Sequence, residues 1–142
     1  MKDKVLVDTN ILVYAYDISE PEKQAKAFLV LDGLASARRG VLSPQILAEF
    51  FVACTQKIAV PLNPETVYRS LQNYLNSWLI VDLTPQIVLE AARGKQAYRL
   101  PYWDAQIWAT AKLNQIPLVY SEDFQDGMAL EGVLFKNPFG GR

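Results

Sequence analysis

The sequence predicts an α/β fold, a single three-layer domain over residues 1–142 with a mostly parallel central sheet of about five strands. Two observations carry this. Compact apolar runs of strand length alternate with longer helical stretches, the pattern of strands joined by helical crossovers. Pro21, Pro44, Pro64 and Pro85 each open such a stretch, at the position where a missing N–H is not needed. Hydrophobic residues make up 51% of the chain and charged residues 20%, so it is globular rather than disordered. A chain of this length buries enough surface for one core without disulfides or structural metal.

Val5-Leu6-Val7 is apolar throughout, which suits a strand buried on both faces. A helical stretch from about Asn10 to Tyr16 follows. Ser19-Glu20-Pro21 opens a second, continuing through Ala25, Phe28, Leu29 and Leu31 to Arg39, with Gly40 expected to end it. Val41-Leu42 makes a short strand. Ser43-Pro44 starts the next helix, with Ser43 accepting from the free N–H groups of the first turn. Asn63-Pro64 repeats the device for a helix to about Asn76. Leu79-Ile80-Val81 is the third strand. Thr84-Pro85 opens a helix to about Arg99, and Pro101 starts another from Tyr102 to Asn114. Leu118-Val119-Tyr120 and Val133-Leu134-Phe135 complete the sheet.

Composition removes several chemistries. The chain has no histidine, which excludes Ser-His and Cys-His nucleophile pairs, histidine zinc sites and imidazole acid–base catalysis. Cys54 is the lone cysteine, so a reducing, cytoplasmic setting is expected. Met1-Lys2-Asp3-Lys4 carries both charge signs and precedes too short an apolar run for a signal peptide. No apolar run approaches the ~20 residues of a membrane span. A net charge of -1 argues against coating nucleic acid by bulk electrostatics. The glycine motifs of Rossmann and P-loop enzymes are missing. Catalysis, if present, falls to carboxylates.

In open parallel sheets, ligands gather beyond the carboxyl ends of the strands. Asp8 directly follows Val5-Leu6-Val7, and Asp123 lies just beyond Tyr120. Asp104 is in the first turn after Pro101, and Glu49 in the second turn after Ser43. Singly, each has an ordinary structural role: Asp8 as a helix cap, Asp104 against a helix dipole, Asp123 in an Asx-turn, Glu49 as a solvated neighbour of Ile46, Leu47, Phe50, Phe51 and Cys54. Gathered at one sheet edge they would repel, two unit charges at 4 Å costing ~4 kcal/mol at an effective dielectric of about 20. Such a cluster calls for raised pKa values or a divalent cation. Oxygen-only donors suit Mg²⁺ or Mn²⁺, ions that serve phosphodiester hydrolysis.

Four motifs then stand in a familiar order: Val5-Leu6-Val7-Asp8-Thr9-Asn10-Ile11, the helical Glu49 after Ser43, Tyr102-Trp103-Asp104-Ala105-x-Ile107-x-Ala109-x-Ala111, and Leu118-x-x-Ser121-x-Asp123-Phe124. In that order the chain resembles a PIN domain from Val5 to the closing Val133-Leu134-Phe135 strand, and within that family the VapC-like toxin ribonucleases of toxin–antitoxin modules. The resemblance implies metal-dependent endonucleolytic cutting of RNA. It implies that Asp8, Glu49, Asp104 and Asp123 surround Mg²⁺ or Mn²⁺, that Thr9 and Asn10 support the first acid, and that Ser43 and Ser121 support the second and last. It also implies a homodimer and an antitoxin partner. Many relatives carry another aspartate where this chain has Gln125, with Asp126 one residue later. That leaves the number of ions open, and the outer acid open among Glu122, Asp123 and Asp126.

An RNase of net negative charge must concentrate its cations locally. Arg38-Arg39, Lys57, Arg69, Arg93, Lys95 and Arg99 are the candidates, and Arg99, shortly before Asp104, is preferred for a phosphate. Tyr14, Tyr102 and Trp103 are candidates to stack on unpaired bases, whereas Trp108 is expected in the core. The surplus of apolar residues from Pro21 to Leu34 suits an interface. Two rivals remain: a non-catalytic PIN-type scaffold that binds RNA or protein, and a phospho-accepting receiver domain using Asp82 and Lys136. The second leaves Glu49 and Asp104 without a role.

Overall fold

The computed structural model describes residues 1–140. Val5, Leu6 and Val7 are fully buried and form β1 (Val5–Val7) in the interior of the sheet. It leads into α1 (Thr9–Tyr14), α2 (Pro21–Ser36), β2 (Gly40–Leu42) and α3 (Pro44–Val52). A π-helical turn, Ala53–Lys57, continues α3, followed by α4 (Pro64–Ser77) and β3 (Leu79–Ile80). The remainder is α5 (Pro85–Tyr98), α6 (Tyr102–Leu113), β4 (Leu118–Tyr120), β5 (Ala129–Leu130) and β6 (Val133–Lys136). Ser43, Asn63 and Thr84 cap their helices as expected, accepting from the N–H groups of Ile46, Glu65 and Ile87.

The sheet order is β3-β2-β1-β4-β6-β5, parallel except for the β5–β6 pair. The right-handed crossover rule puts the connections running β1 to β2 to β3 on one face and the return to β4 on the other. Helix contacts agree, α1 packing on α2 and α3 while α5 packs on α6. Trp108 is fully buried, and α6 is buried without a break from Ala105 to Ala111, which explains its small side chains. No helix of the described residues is long and apolar enough to cross a membrane.

The elements differ from the sequence expectation in two places. The sheet has a sixth strand, because Glu131 (φ 48) and Gly132 (φ 90) make a two-residue turn with positive φ at both positions, the geometry that folds β5 back on β6. Gly40 does not end α2; the helix stops at Ser36, and Arg38 turns the chain at φ 56. Gly40 lies within β2, where a Cβ would come within 2.2 Å of the Trp78 ring. Close approach of the indole, not a turn, requires glycine there.

Candidate active site

The chain leaves β1 toward β2 and later returns to β1's other side as β4, so the crevice beyond these two strand ends is the topological switch point. An open cavity of about 730 Å³ lies there. Asp8, Glu49, Asp104 and Asp123 all line it, brought from the end of β1, the middle of α3, the first turn of α6 and the loop after β4.

Asp8 caps α1, its Oδ1 accepting from the Thr9 N–H at 2.7 Å. Its Oδ2 accepts from the Ser121 hydroxyl at 2.7 Å. Only 3% exposed, it has its pKa pushed up to about 7: burial outweighs those two hydrogen bonds, and Asp123 and Glu49 add repulsion. Asp104 is raised to about 6, first by burial and then by the charges of Asp123 and Glu49. Burial likewise raises Asp123. The Asn10 amide, directed at Asp123, opposes that rise, although its buried Nδ2 falls outside strict hydrogen-bond geometry. Glu49 is held on both oxygens, Oε1 by the Thr9 hydroxyl at 2.8 Å and Oε2 by Gln45 Nε2 at 3.2 Å. Among the described residues no three acids close on one point as a ready-made ion cage; like charges line the cavity instead.

The three acids after β4 are placed differently. Glu122 does not line the cavity: Lys23 Nζ approaches its Oε2 at 2.5 Å, and Tyr14 donates to its Oε1 at 2.7 Å. Asp126 accepts from the Asn137 N–H at 2.8 Å, also outside the cavity. Only Asp123 of the three faces it. The supporting residues divide similarly. Thr9, Asn10 and Ser121 bond within the acidic end, Asn10 Oδ1 accepting from the Glu122 N–H at 3.1 Å, whereas Ser43 is a buried helix cap away from the cavity wall. Tyr14 lines the cavity with its hydroxyl committed to Glu122. Arg99 does not line it; it is the exposed, left-handed C-cap of α5. Asp82 is exposed after the edge strand β3, and Lys136 borders a different groove with Arg39 and Tyr120, so no receiver-type triad assembles with Asp8.

Two features of the cavity were not singled out from sequence, and a third was named only among several candidate cations. Gln45 bridges Glu49 to α6, a contact its position four residues before Glu49 could have signalled. Asp17 adds a further acid to the wall. Lys57, one of the candidate cations but not the preferred one, is the one cation among the described lining residues. It arrives by the π-helical turn. Eight residues of unbroken α-helix would carry it ~80° past Glu49, and the wider turn draws it back.

A PIN-domain family model matches residues 5–125. The chain belongs to the PIN-domain family. Among proteins of curated function none is significantly similar in sequence. Solved structures similar to this one include a toxin–antitoxin complex from Klebsiella pneumoniae, at 20% identity and a TM-score of 0.71, covering 96% of this chain and 99% of that one. VapBC2 from Rickettsia felis, bound to a promoter DNA fragment, matches at 17% identity and a TM-score of 0.68, covering 94% and 97%. The VapC20 toxin of Mycobacterium tuberculosis, described as sarcin-ricin loop cleaving, matches at 12% identity and a TM-score of 0.66, covering 86% and 90%. At these identities the likeness is one of fold.

Proposed function

We propose that this PIN domain is a metal-dependent endoribonuclease of VapC type, the toxin of a toxin–antitoxin pair. One observation carries the reading: four carboxylates from four elements line one cavity at the switch point of the sheet. The donor set fits a hard divalent cation, since the described lining residues offer carboxylates but neither imidazole nor thiolate. Asp8, Glu49, Asp104 and Asp123 would hold Mg²⁺ or Mn²⁺. When bound, the ion supplies Lewis acidity that activates water and offsets charge on the phosphate.

The chain's own residues do the rest. Ser121 and the Thr9 N–H fix Asp8, and Thr9 and Gln45 fix Glu49, so that both carboxylates are positioned to hold the ion and to accept a proton from water. The buried Asn10 amide lies beside Asp123 and steadies that acid. Lys57, within the cavity, takes the phosphate-binding role in place of Arg99, which does not line it, and the Tyr14 ring on the cavity wall serves a base. Phe28 and Leu29, 55% and 74% exposed on α2, offer apolar surface for a second copy or an antitoxin.

Purified protein should cut RNA with Mn²⁺, not with EDTA, and not as Asp8→Asn. Absence of cutting with any divalent ion would move the assignment to an RNA- or protein-binding scaffold.

A further inference from the structure

Gln106 is 2% exposed, an amide between Ala105 and Ile107 on a helix that otherwise buries mostly apolar side chains. A buried amide is costly unless its groups are bonded. Its Oε1 accepts from the Tyr102 hydroxyl at 2.8 Å, and its Nε2 donates to Gln45 Oε1 at 2.9 Å. Gln45 Nε2 donates to the Trp103 carbonyl at 3.0 Å and to Glu49 Oε2 at 3.2 Å. A continuous relay therefore runs from Tyr102 on α6 to Glu49 on α3.

Its direction is dictated by its ends. The Trp103 carbonyl and the Glu49 carboxylate can only accept, so Gln45 must turn its NH₂ group to both. Its oxygen is then left for Gln106, which must donate, and the Gln106 oxygen is left for the Tyr102 proton. One orientation of both amides satisfies every group.

We propose that Gln45 is a positioning residue for Glu49, locked in its donor orientation by Gln106 and Tyr102. This rests on the assignment of Glu49 to the metal-binding acids. A free glutamate side chain loses considerable rotamer entropy on being fixed. With Thr9 on one oxygen and Gln45 on the other, Glu49 is held facing the cavity in advance. None of the motifs that mark the family resemblance includes Gln45, Gln106 or the Tyr102 hydroxyl in such a role.

The test is a double-mutant cycle of Gln45→Met and Tyr102→Phe, read by Mn²⁺ affinity in calorimetry, by kcat and KM on RNA, and by melting temperature. Gln45→Met keeps the side-chain length and removes the donor, so Mn²⁺ binding weakens about 10- to 100-fold and kcat falls, with KM for RNA unchanged. Tyr102→Phe leaves the buried Gln106 oxygen without its donor and loosens the hold on Gln45, giving a smaller loss of the same kind. In the Gln45→Met background Tyr102→Phe has no further effect on Mn²⁺ affinity beyond about twofold. Wild-type Mn²⁺ affinity in Gln45→Met, or an equal Tyr102→Phe effect in both backgrounds, overturns the relay. Should Gln45→Met fail to fold, Tyr102→Phe alone decides, and unchanged Mn²⁺ affinity overturns it. A coupled cycle in a protein that cuts no RNA keeps the relay and removes the nuclease reading. A wild type that binds no Mn²⁺ removes both.

Discussion

The Ser121 hydroxyl donates to Asp8 Oδ2 at 2.7 Å, and the same Ser121 oxygen accepts from the Asp123 N–H at 3.0 Å. This one side chain locks the residue after β1 to the loop after β4, so two of the cavity's acids are placed by a common fastening. Among the described residues Asp8 has no ion-pair partner. Its hydrogen bonds fix position without cancelling the cost of burial, and its pKa rises to about 7.

A pH dependence follows with a definite sign. Asp8 near 7 and Asp104 near 6 stand above their ordinary value of 3.8, so without metal the folded chain binds more protons than the unfolded one between these limits. Stability present below pH about 4 is then lost as pH rises through 6 and 7. Glu90 and Glu131 are lowered to about 2 by Arg93, Lys112 and, for Glu131, Tyr98, and titrate below this window. In EDTA the protein should melt at a higher temperature at pH 5 than at pH 8. Mn²⁺ should raise the melting temperature at pH 8 and much less at pH 5, because protons and the cation compete for the same oxygens. A melting temperature rising from pH 5 to pH 8 in EDTA would contradict the burial of an uncompensated carboxyl.

Neutralising the acids separates activity from stability. Asp8→Asn, Glu49→Gln and Asp104→Asn should each abolish metal-dependent cleavage while retaining the native circular dichroism spectrum. Asp8→Asn should also flatten the pH slope in EDTA, since the amide has no charge to desolvate. Wild-type-like turnover in any of the three would remove that residue from the reaction.

Much of this arrangement was legible in the chain before folding. Asp8, Asp104 and Asp123 sit at strand ends or a first helical turn, where parallel-sheet topology alone directs attention. The caps at Ser43, Asn63 and Thr84 were readable because capping is local chemistry. What was hidden depended on contacts distant in sequence. Glu122 and Asp123 are adjacent in the chain, and contacts from Lys23 and Tyr14, on α2 and α1, hold Glu122 away from the cavity that Asp123 lines. Lys57 depends on a π-helical turn with no compositional signature, and β5 on a turn whose first residue is a glutamate in the left-handed region.

That division of labour is testable at neighbouring residues. Glu122→Gln should leave cleavage within a few fold of wild type, while Asp123→Asn should lose it. Lys23→Met should act in a third way, leaving Glu122 without its cation beside Asp123 and lowering stability modestly, as expected for a partly exposed pair. Loss of cleavage in Glu122→Gln, with Asp123→Asn active, would reverse the assignment of the outer acid.

Packing away from the cavity offers a control. A Cβ on Gly94 of α5 would lie 2.4 Å from the buried Trp108 ring of α6. Gly94→Ala should cost about 1–3 kcal/mol in urea unfolding, the usual range for overpacking, despite alanine's better helix propensity. An unchanged or higher stability would mean that α5 and α6 can separate without penalty.

Lys57 makes a prediction that needs no turnover. It is the one cation among the described residues of a cavity that also carries Asp8, Asp17, Glu49, Asp104 and Asp123, and among those described it has no ion-pair partner. Among the described lining residues, a strand entering this cavity therefore meets a positive charge only here. Binding of a single-stranded RNA, measured by anisotropy over a salt series in the non-cutting Asp8→Asn background, should weaken on Lys57→Ala. Losing one phosphate contact should make the slope of log affinity against log salt shallower by about 0.7. Lys57→Arg should restore it, since a guanidinium also binds phosphate. Arg99→Ala, outside the cavity, should leave the slope unchanged. If Arg99→Ala flattens the slope and Lys57→Ala does not, the RNA path runs over the α5–α6 corner and the π-helical turn is a packing feature alone.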